Sequence, residues 1–415
     1  MFIPQSSRRI VITGIGAVAP NGIGHHAFWN GILRRESAIR RITRFDASQL
    51  KTQIAGEVPD FDPSIYLEGV KTKRAARHTQ FALVASQLAL EDAELHPQAC
   101  RPDFAVPVIL GVSTSAFDVI QKGSQHVPTR GPDAASGFLI TESLPQAAAS
   151  AVCRLLAVDT AASTISSACP SGLDAVAAAF LQLREGVGEF AICGGTDSPL
   201  TLVPFANFAN AGLASMRNDQ PERASRPFDR ERDSGVISEG AGVLVLETLR
   251  HALARGARPY AEITGFSSCN DPEPGEHGAG LADSMRRAVA NAGRRNSAVD
   301  YISAHGPGHP VLDRVETEMI KRTFGSRAYR LPVSSIKGAI GNPLAAAGPL
   351  QVIATARCLH EQVIPPTANL EVPDPECDLD YVASGPRRAK VSCALVNSHG
   401  VGGGNSSLVL ERYSP

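Results

Sequence analysis

Thr164-Ile165-Ser166-Ser167-Ala168-Cys169-Pro170-Ser171-Gly172 runs straight into Leu173-Asp174-Ala175-Val176-Ala177-Ala178-Ala179-Phe180, and together they read as a strand-like run, a sharp turn and an alanine-rich helix. Proline fits the first helical position, so Pro170 places Cys169 at the cap. Unpaired backbone N–H groups and the helix dipole stabilise a thiolate there, which makes the thiol a nucleophile. Gly172 is expected to leave room beside the sulfur for a substrate. A cysteine alone is more often a small buried hydrophobe. It is the setting of Cys169 that argues for covalent acyl chemistry.

Outward from this unit, short apolar runs ending in glycine alternate with Ala-rich helical stretches, the pattern of an α/β protein with substantially parallel, buried sheets. Strand candidates are Ile10–Ile12, Val106–Leu110, Phe190–Cys193 and Gly242–Leu246, then Tyr260–Thr264, Tyr301–Ala304 and Ala394–Asn397. Phe81–Leu95, Leu173–Arg184 and Leu281–Ala292 read as helices. The two runs of elements look alike in order and meet at a seam near His251–Pro259. This gives residues 1–255 as a half carrying the nucleophilic cysteine and 256–415 as a half carrying His305, Lys337 and Asn342.

Ligands of α/β sheets bind beyond the carboxyl ends of the strands. Cys169, His305 and His399 each follow a strand-like run, so convergence is expected. In Ala304-His305-Gly306 the imidazole would exchange a proton with the thiol or hydrogen-bond a thioester carbonyl. Lys337 precedes Asn342 on a loop punctuated by Gly338 and Gly341, and Glu316, on the helix after Pro310, is its expected ion-pair partner inside the cleft. Thr13-Gly14-Ile15-Gly16 brushes against a dinucleotide fingerprint, with Ala19 for the third glycine. Pro20 stands where the phosphate-binding helix should continue, so the reading is a tight strand-to-loop turn. In Gly400-Val401-Gly402-Gly403-Gly404-Asn405, glycines would let backbone N–H groups approach a reacting atom, as an oxyanion hole requires.

At 415 residues with 43% hydrophobic content, the chain suits one large domain or two ordinary ones. Forty basic against forty-one acidic residues give no electrostatic case for nucleic acid or an anionic membrane. Met1–Arg9 lacks the apolar run of a secretory signal, and no stretch approaches the roughly 20 apolar residues of a membrane span, so a soluble cytoplasmic protein is expected. Eight cysteines without a CxxC pair indicate neither a metal site nor a disulfide framework. Cys153, Cys193 and Cys393 lie in apolar runs and read as buried core thiols.

Thr164–Gly172, Ala304-His305-Gly306, Lys337–Gly348 and Asn397–Asn405, with Arg226-Pro227-Phe228-Asp229 and Glu239-Gly240-Ala241-Gly242, resemble in order and spacing the elongating β-ketoacyl-acyl-carrier-protein synthases, type II polyketide ketosynthases included. The resemblance runs from Arg9 to Leu410. It implies a thiolase fold, five α/β/α/β/α layers in two similar halves, as a homodimer or a heterodimer with a related chain. It implies acyl transfer from a carrier-protein or CoA thioester to Cys169, then decarboxylative condensation with a malonyl thioester in fatty acid or polyketide assembly. His305 would be the first catalytic histidine, Lys337 the active-site lysine and Glu316 its acidic partner, with the N–H groups of Cys169 and Val401 as oxyanion hole. No resident cofactor is implied, because phosphopantetheine arrives on the carrier protein or as CoA.

The chain departs from that pattern where the family has a second histidine, which is Asn342 here. Asparagine still donates a hydrogen bond to an enolate but carries no positive charge, so the stabilisation should be weaker. Pro307 and His309 replace two threonines, His399 and Val401 replace gating phenylalanines, and the loop Asp271–Gly278 is shortened. Pro307, His309, His399 and Gly235 are expected to line a wider, more polar substrate channel, although His309 and His399 each read more simply as space-filling side chains. Two reaction classes remain: a condensing ketosynthase, or a non-elongating acyltransferase or hydrolase whose acyl-Cys169 is captured by an alcohol, amine or water. A silent partner subunit is disfavoured, because such chains usually lack the cysteine.

Overall fold

The computed structural model describes residues 8–96, 104–157, 160–272 and 278–414, which leaves Met1–Ser7, Cys100 and most of the Asp271–Gly278 loop outside the described residues. Ten strands build the main sheet. The first five are β1 (Ile10–Ala19), β2 (Val108–Gly111), β3 (Ala162–Ile165), β4 (Phe190–Asp197) and β5 (Gly240–Thr248). The others are β6 (Ala261–Asn270), β7 (Tyr301–Ser303), β8 (Val333–Ser334), β9 (Cys393–His399) and β10 (Gly404–Glu411). The short strand Gly22–Ile23 adds to β1 at one end.

From the middle of the sheet outward, one side runs β1-β5-β4-β2-β3 and the other β6-β10-β9-β7-β8. Each side thus takes its five strands in the order first, fifth, fourth, second, third. The duplicated order suggested by the sequence is therefore a duplicated topology, and the break falls between Thr248 and Ala261. The halves are not separate bodies, because Ile10–Ile12 of β1 pair antiparallel with Ala261–Ile263 of β6 and fuse them into one sheet. The expectation of a substantially parallel sheet holds only outward of β4 and β9, where β2 and β7 pair parallel with both neighbours. The inner pairings are antiparallel. For β9 and β10 the cause is local: the short Gly400–Gly403 connection can only fold the chain back as a hairpin.

Six helices complete the layers: α1 (Arg77–Asp92), α2 (Ala147–Leu156), α3 (Ser171–Arg184), α4 (Ala279–Asn291), α5 (Pro310–Phe324) and α6 (Ala347–Glu361). Alanine-rich α3 and α6 lie between the two sheet halves and share one apolar core with both. The outer face of the first half is covered by α1 and α2, and that of the second by α4 and α5. These are the five layers of the thiolase-like fold. Gly14 and Gly16 serve this stacking rather than a turn: β1 continues unbroken through both, and an added Cβ would stand 2.2 Å from the Ala89 carbonyl oxygen and 1.9 Å from that of Ala85 on α1. Among the described residues no helix is long and apolar enough to cross a membrane. Cys153, Cys193 and Cys393 are buried free thiols.

A buried carboxylate ties β1 to the end of β5. Burial alone would push Glu247 up, but hydrogen bonds from His251, Arg255 and Thr13 outweigh it and hold the group down at about 2. The folded value lies below the unfolded one, so this contribution is present above the ordinary carboxylate range and is lost as pH falls toward the folded value. Acid titration of stability from pH 4.5 to about 2 should therefore cost roughly 3 kcal/mol through this group. In Glu247→Gln that slope should flatten, as read by denaturant midpoints at each pH.

Candidate active site

Loops at the carboxyl ends of β2, β3, β7, β8 and β9 meet around one cavity of about 100 Å³, lined by Ser113, Ala168, Cys169, His305, Asn342 and His399. Gly235, Pro307, His309 and Val401 complete the set of sequence candidates on its wall. Lys337 and Glu316 stand behind it, both buried. All of the candidates thus gather in one place, although several act differently from expectation.

The cysteine itself sits one residue further from the helix than expected. Helix α3 starts at Ser171 with Pro170 as its cap, and Ala168 turns the chain with φ 61°, a left-handed conformation unusual for a residue bearing a Cβ. The Ala168 carbonyl accepts from the Ser171 N–H at 3.0 Å, which fixes the sharp bend from strand to helix. Gly172 does not make space for substrate. A Cβ there would lie 2.0 Å from the Ala345 carbonyl oxygen and 2.6 Å from Pro349, so glycine lets α3 pack against the start of α6.

Burial pushes the Cys169 thiol up to about 11; Lys337 pulls it down and Asp197 pushes it further up. The backbone N–H groups of Cys169 and Val401 favour its anion as well. Desolvation therefore outweighs Lys337 and the two backbone N–H groups, and the resting group is a thiol that must hand its proton to a neighbour to react.

Lys337 opens a short buried helix, Lys337–Ile340, rather than lying on a loop. Its Nζ donates to the His305 carbonyl at 2.5 Å, lies 3.5 Å from His305 Nδ1 and donates to Gln351 Oε1 at 3.3 Å. It forms no ion pair with Glu316, contrary to the sequence-based expectation. The Glu316 carboxylate instead accepts from the N–H of His305 at 2.9 Å, the N–H of Gly306 at 2.8 Å and Asn397 Nδ2 at 3.2 Å. The His305 peptide is held on both sides, its N–H by Glu316 and its C=O by Lys337. Burial, Lys337 and His399 hold the His305 imidazole well below its ordinary value, so it is neutral. Burial brings Lys337 down to about 8, and burial raises Glu316.

Asn342 spends its backbone on the Gly235–Ser238 segment, donating to Val236 O at 2.7 Å and accepting from Ser238 N at 3.0 Å. Its side chain is left for the cavity, and Oδ1 has no hydrogen-bond partner among the described residues. His309 is more than a filler: it caps α5, with Nδ1 accepting from the N–H groups of Val311 at 3.2 Å and Leu312 at 3.4 Å. Gly235 is needed because a Cβ would meet the Pro307 carbonyl oxygen at 2.8 Å.

Two buried residues escaped the sequence reading. Gln351 of α6 donates to the Ala304 carbonyl at 2.8 Å and the Asn397 carbonyl at 3.2 Å while accepting from Lys337. Asp197, at the end of β4, accepts from the N–H groups of Thr114 at 2.8 Å and Ala345 at 2.9 Å, joining the loops around the cysteine. A lone amide in an apolar helix and a charge closing an apolar strand were the signals available.

A buried cysteine sharing one cavity with His305 and Asn342, in a duplicated sheet of this topology, defines an acyl-transferring enzyme of the thiolase-like fold. Residues 7–252 match the β-ketoacyl synthase N-terminal domain and residues 260–371 its C-terminal domain. The chain belongs to the β-ketoacyl synthase family. It is 38% identical over 410 residues to 3-oxoacyl-[acyl-carrier-protein] synthase 2 of Synechocystis, covering 98% of each chain. It is 39% identical over 427 residues to the tetracenomycin polyketide synthase ketoacyl synthase alpha subunit of Streptomyces glaucescens, again covering 98% of each. Among solved structures, a β-ketoacyl synthase from Burkholderia phymatum superposes with a TM-score of 0.91 at 30% identity, covering 98% of this chain and 100% of that one. A type II polyketide ketosynthase solved with its acyl-carrier protein and bound to the hexaketide gives 0.90 at 30% identity, with the same coverage.

Proposed function

We propose that the protein is a condensing β-ketoacyl synthase of fatty acid or polyketide assembly, taking an acyl group from a carrier-protein or CoA thioester onto Cys169 and extending it with a malonyl unit. The observation that carries this reading is the single cavity that gathers Cys169, His305, Asn342 and Val401, in which the backbone N–H groups of Cys169 and Val401 favour the thiolate. In acyl transfer, sulfur attacks the thioester carbonyl, the oxyanion rests on those two N–H groups, and the pantetheine thiol departs. In condensation, the malonyl carboxylate leaves as carbon dioxide, the enolate carbon attacks the acyl group, and the bond to Cys169 breaks. His305 Nε2–H and the Asn342 amide donate to the enolate oxygen. Lys337 and Glu316 are positioning residues for His305. Gly235, Pro307 and His309 border the channel of the pantetheine arm. The chemistry needs no resident metal or organic cofactor. The partner is an acyl carrier protein, and the assembly is a homodimer or a heterodimer with a related chain.

The test is incubation of the protein with acyl and malonyl carrier proteins, following carbon dioxide and product mass together. A β-ketoacyl product two carbons longer, with carbon dioxide, supports the proposal; acyl loss from Cys169 without carbon dioxide replaces it with simple acyl transfer or hydrolysis. Asn342→His should raise malonyl decarboxylation about tenfold, because a hydrogen bond to the enolate from a charged donor gains about 1.4 kcal/mol over one from a neutral amide. An unchanged rate would remove the weak-donor account of Asn342.

A further inference from the structure

His399, the last residue of β9, is buried on the wall of the reaction cavity, and its ring lies edge-on to that of His305 with centroids 6.1 Å apart. Its Nδ1 lies 2.5 Å from Asn405 Oδ1. The orientation of the Asn405 amide is fixed, because Nδ2 donates to Asp271 Oδ1 at 2.8 Å, the Gly403 carbonyl at 2.8 Å and the Cys269 carbonyl at 3.4 Å. Oxygen therefore faces the imidazole, Nδ1 carries the proton, and Nε2 keeps its lone pair. His305 is held in the opposite sense, since Lys337 donates toward its Nδ1 and leaves Nε2–H as a donor. The cavity thus contains two imidazoles of complementary polarity, one offering a proton and one able to accept it.

The electrostatics divide the roles in the same way. A proton added to His305 would face the buried Lys337 ammonium. His399 is instead oriented by the Asn405 amide oxygen, and Asn405 is itself held by the Asp271 carboxylate, an arrangement that points Nε2 outward as an acceptor.

We infer that His399 is the proton acceptor of the acyl-transfer step, receiving the Cys169 thiol proton on Nε2 and returning it to the departing pantetheine thiolate. The S–H bond of Cys169 breaks as sulfur bonds to the acyl carbon, and the same proton leaves with pantetheine, so the step balances without a further reagent. This rests on the acyl-enzyme part of the proposed function and assigns its base.

The test measures single-turnover acylation of Cys169 by a series of acyl-CoA thioesters, read by intact mass, and alkylation of Cys169 by iodoacetamide, in the wild type, His399→Ala and His399→Gln. Both variants should lose about 10²-fold or more in acylation, the range for a general base. Free imidazole should restore at least tenfold to His399→Ala, while His399→Gln, which fills the same space, should gain nothing. Acylation within threefold of wild type, or a loss that imidazole does not repair, overturns the inference. If no thioester acylates the wild type, the proposed function falls, and the alkylation rates still decide the base: unchanged alkylation in both variants refutes it.

Discussion

Cys169→Ala is expected to leave no acyl adduct on the protein and to lower thioester turnover by at least about 10³-fold, because no other thiol lines the cavity to take over the covalent half of the reaction. Of the seven free cysteines described, Cys153, Cys193, Cys358, Cys377 and Cys393 are buried like Cys169. Burial raises all of them, Cys193 beyond the range in which a thiol ionises in water, and none of them lines the cavity. Cys269 is partly exposed but lies on β6, where Ser267 and Arg287 are the hydrogen-bonding neighbours of its sulfur among the described residues. The fold should survive, since sulfur to methyl removes one heavy atom from a partly hollow site, and the melting point should move by only a few degrees. Intact mass after incubation with an acyl thioester decides the matter; an adduct that persists on the alanine variant sinks the assignment.

Lys337→Met is the second large effect, expected to lower kcat about 10²-fold with little change in KM. Methionine fills the same space but gives up the donor to the His305 carbonyl and to Gln351, and it releases His305 Nδ1 from the group that sets its tautomer. Two stability terms oppose each other. Removing a buried ammonium relieves desolvation, while leaving two oxygens unpaired costs about 1–3 kcal/mol each. The pH dependence separates charge from shape. Burial lowers Lys337 from 10.5 to about 8 in the folded state, so above that the unfolded chain binds more protons than the folded one and stability rises with pH. The wild type should gain roughly 3 kcal/mol between pH 8 and 10.5 through this group, and the methionine variant should not. A variant that keeps both kcat and the alkaline rise would refute the role given to Lys337.

The convergence of Cys169, His305 and His399 was legible because each closes or follows a strand, and strand ends in an α/β sheet share one side of the molecule. The partner of Lys337 was not. Sequence spacing places Glu316 on a helix near the site, but which peptide its carboxylate reaches depends on how α5 lies against the loop after β7. The start of α3 was misplaced by one residue for a backbone reason, the left-handed Ala168, which side-chain identity conceals. Strand β10 opens Gly404-Asn405-Ser406-Ser407, a composition that reads as loop. It is a strand because β6 and β9 pair with it on both sides, and tertiary context overrides its low propensity.

The pairing of β1 sets a timetable for biosynthesis. Apart from the two-residue strand Gly22–Ile23, its partners are β5 and β6, which begin at Gly240 and Ala261. More than 200 residues must be made after Ala19 before the first long partner is complete. At ribosomal rates of about 5–20 residues per second, that interval is roughly 10 to 50 s. Throughout it, a ten-residue strand that ends up wholly buried can be sheltered by the helices His25–Leu33, Arg77–Asp92 and Ser171–Arg184 on its faces, but apart from the short Gly22–Ile23 pairing its hydrogen-bonding edges stay open. Nascent chains stalled before residue 240 should therefore be held by chaperones or aggregate, and release should coincide with emergence of the Gly240–Thr248 segment from the ribosomal tunnel.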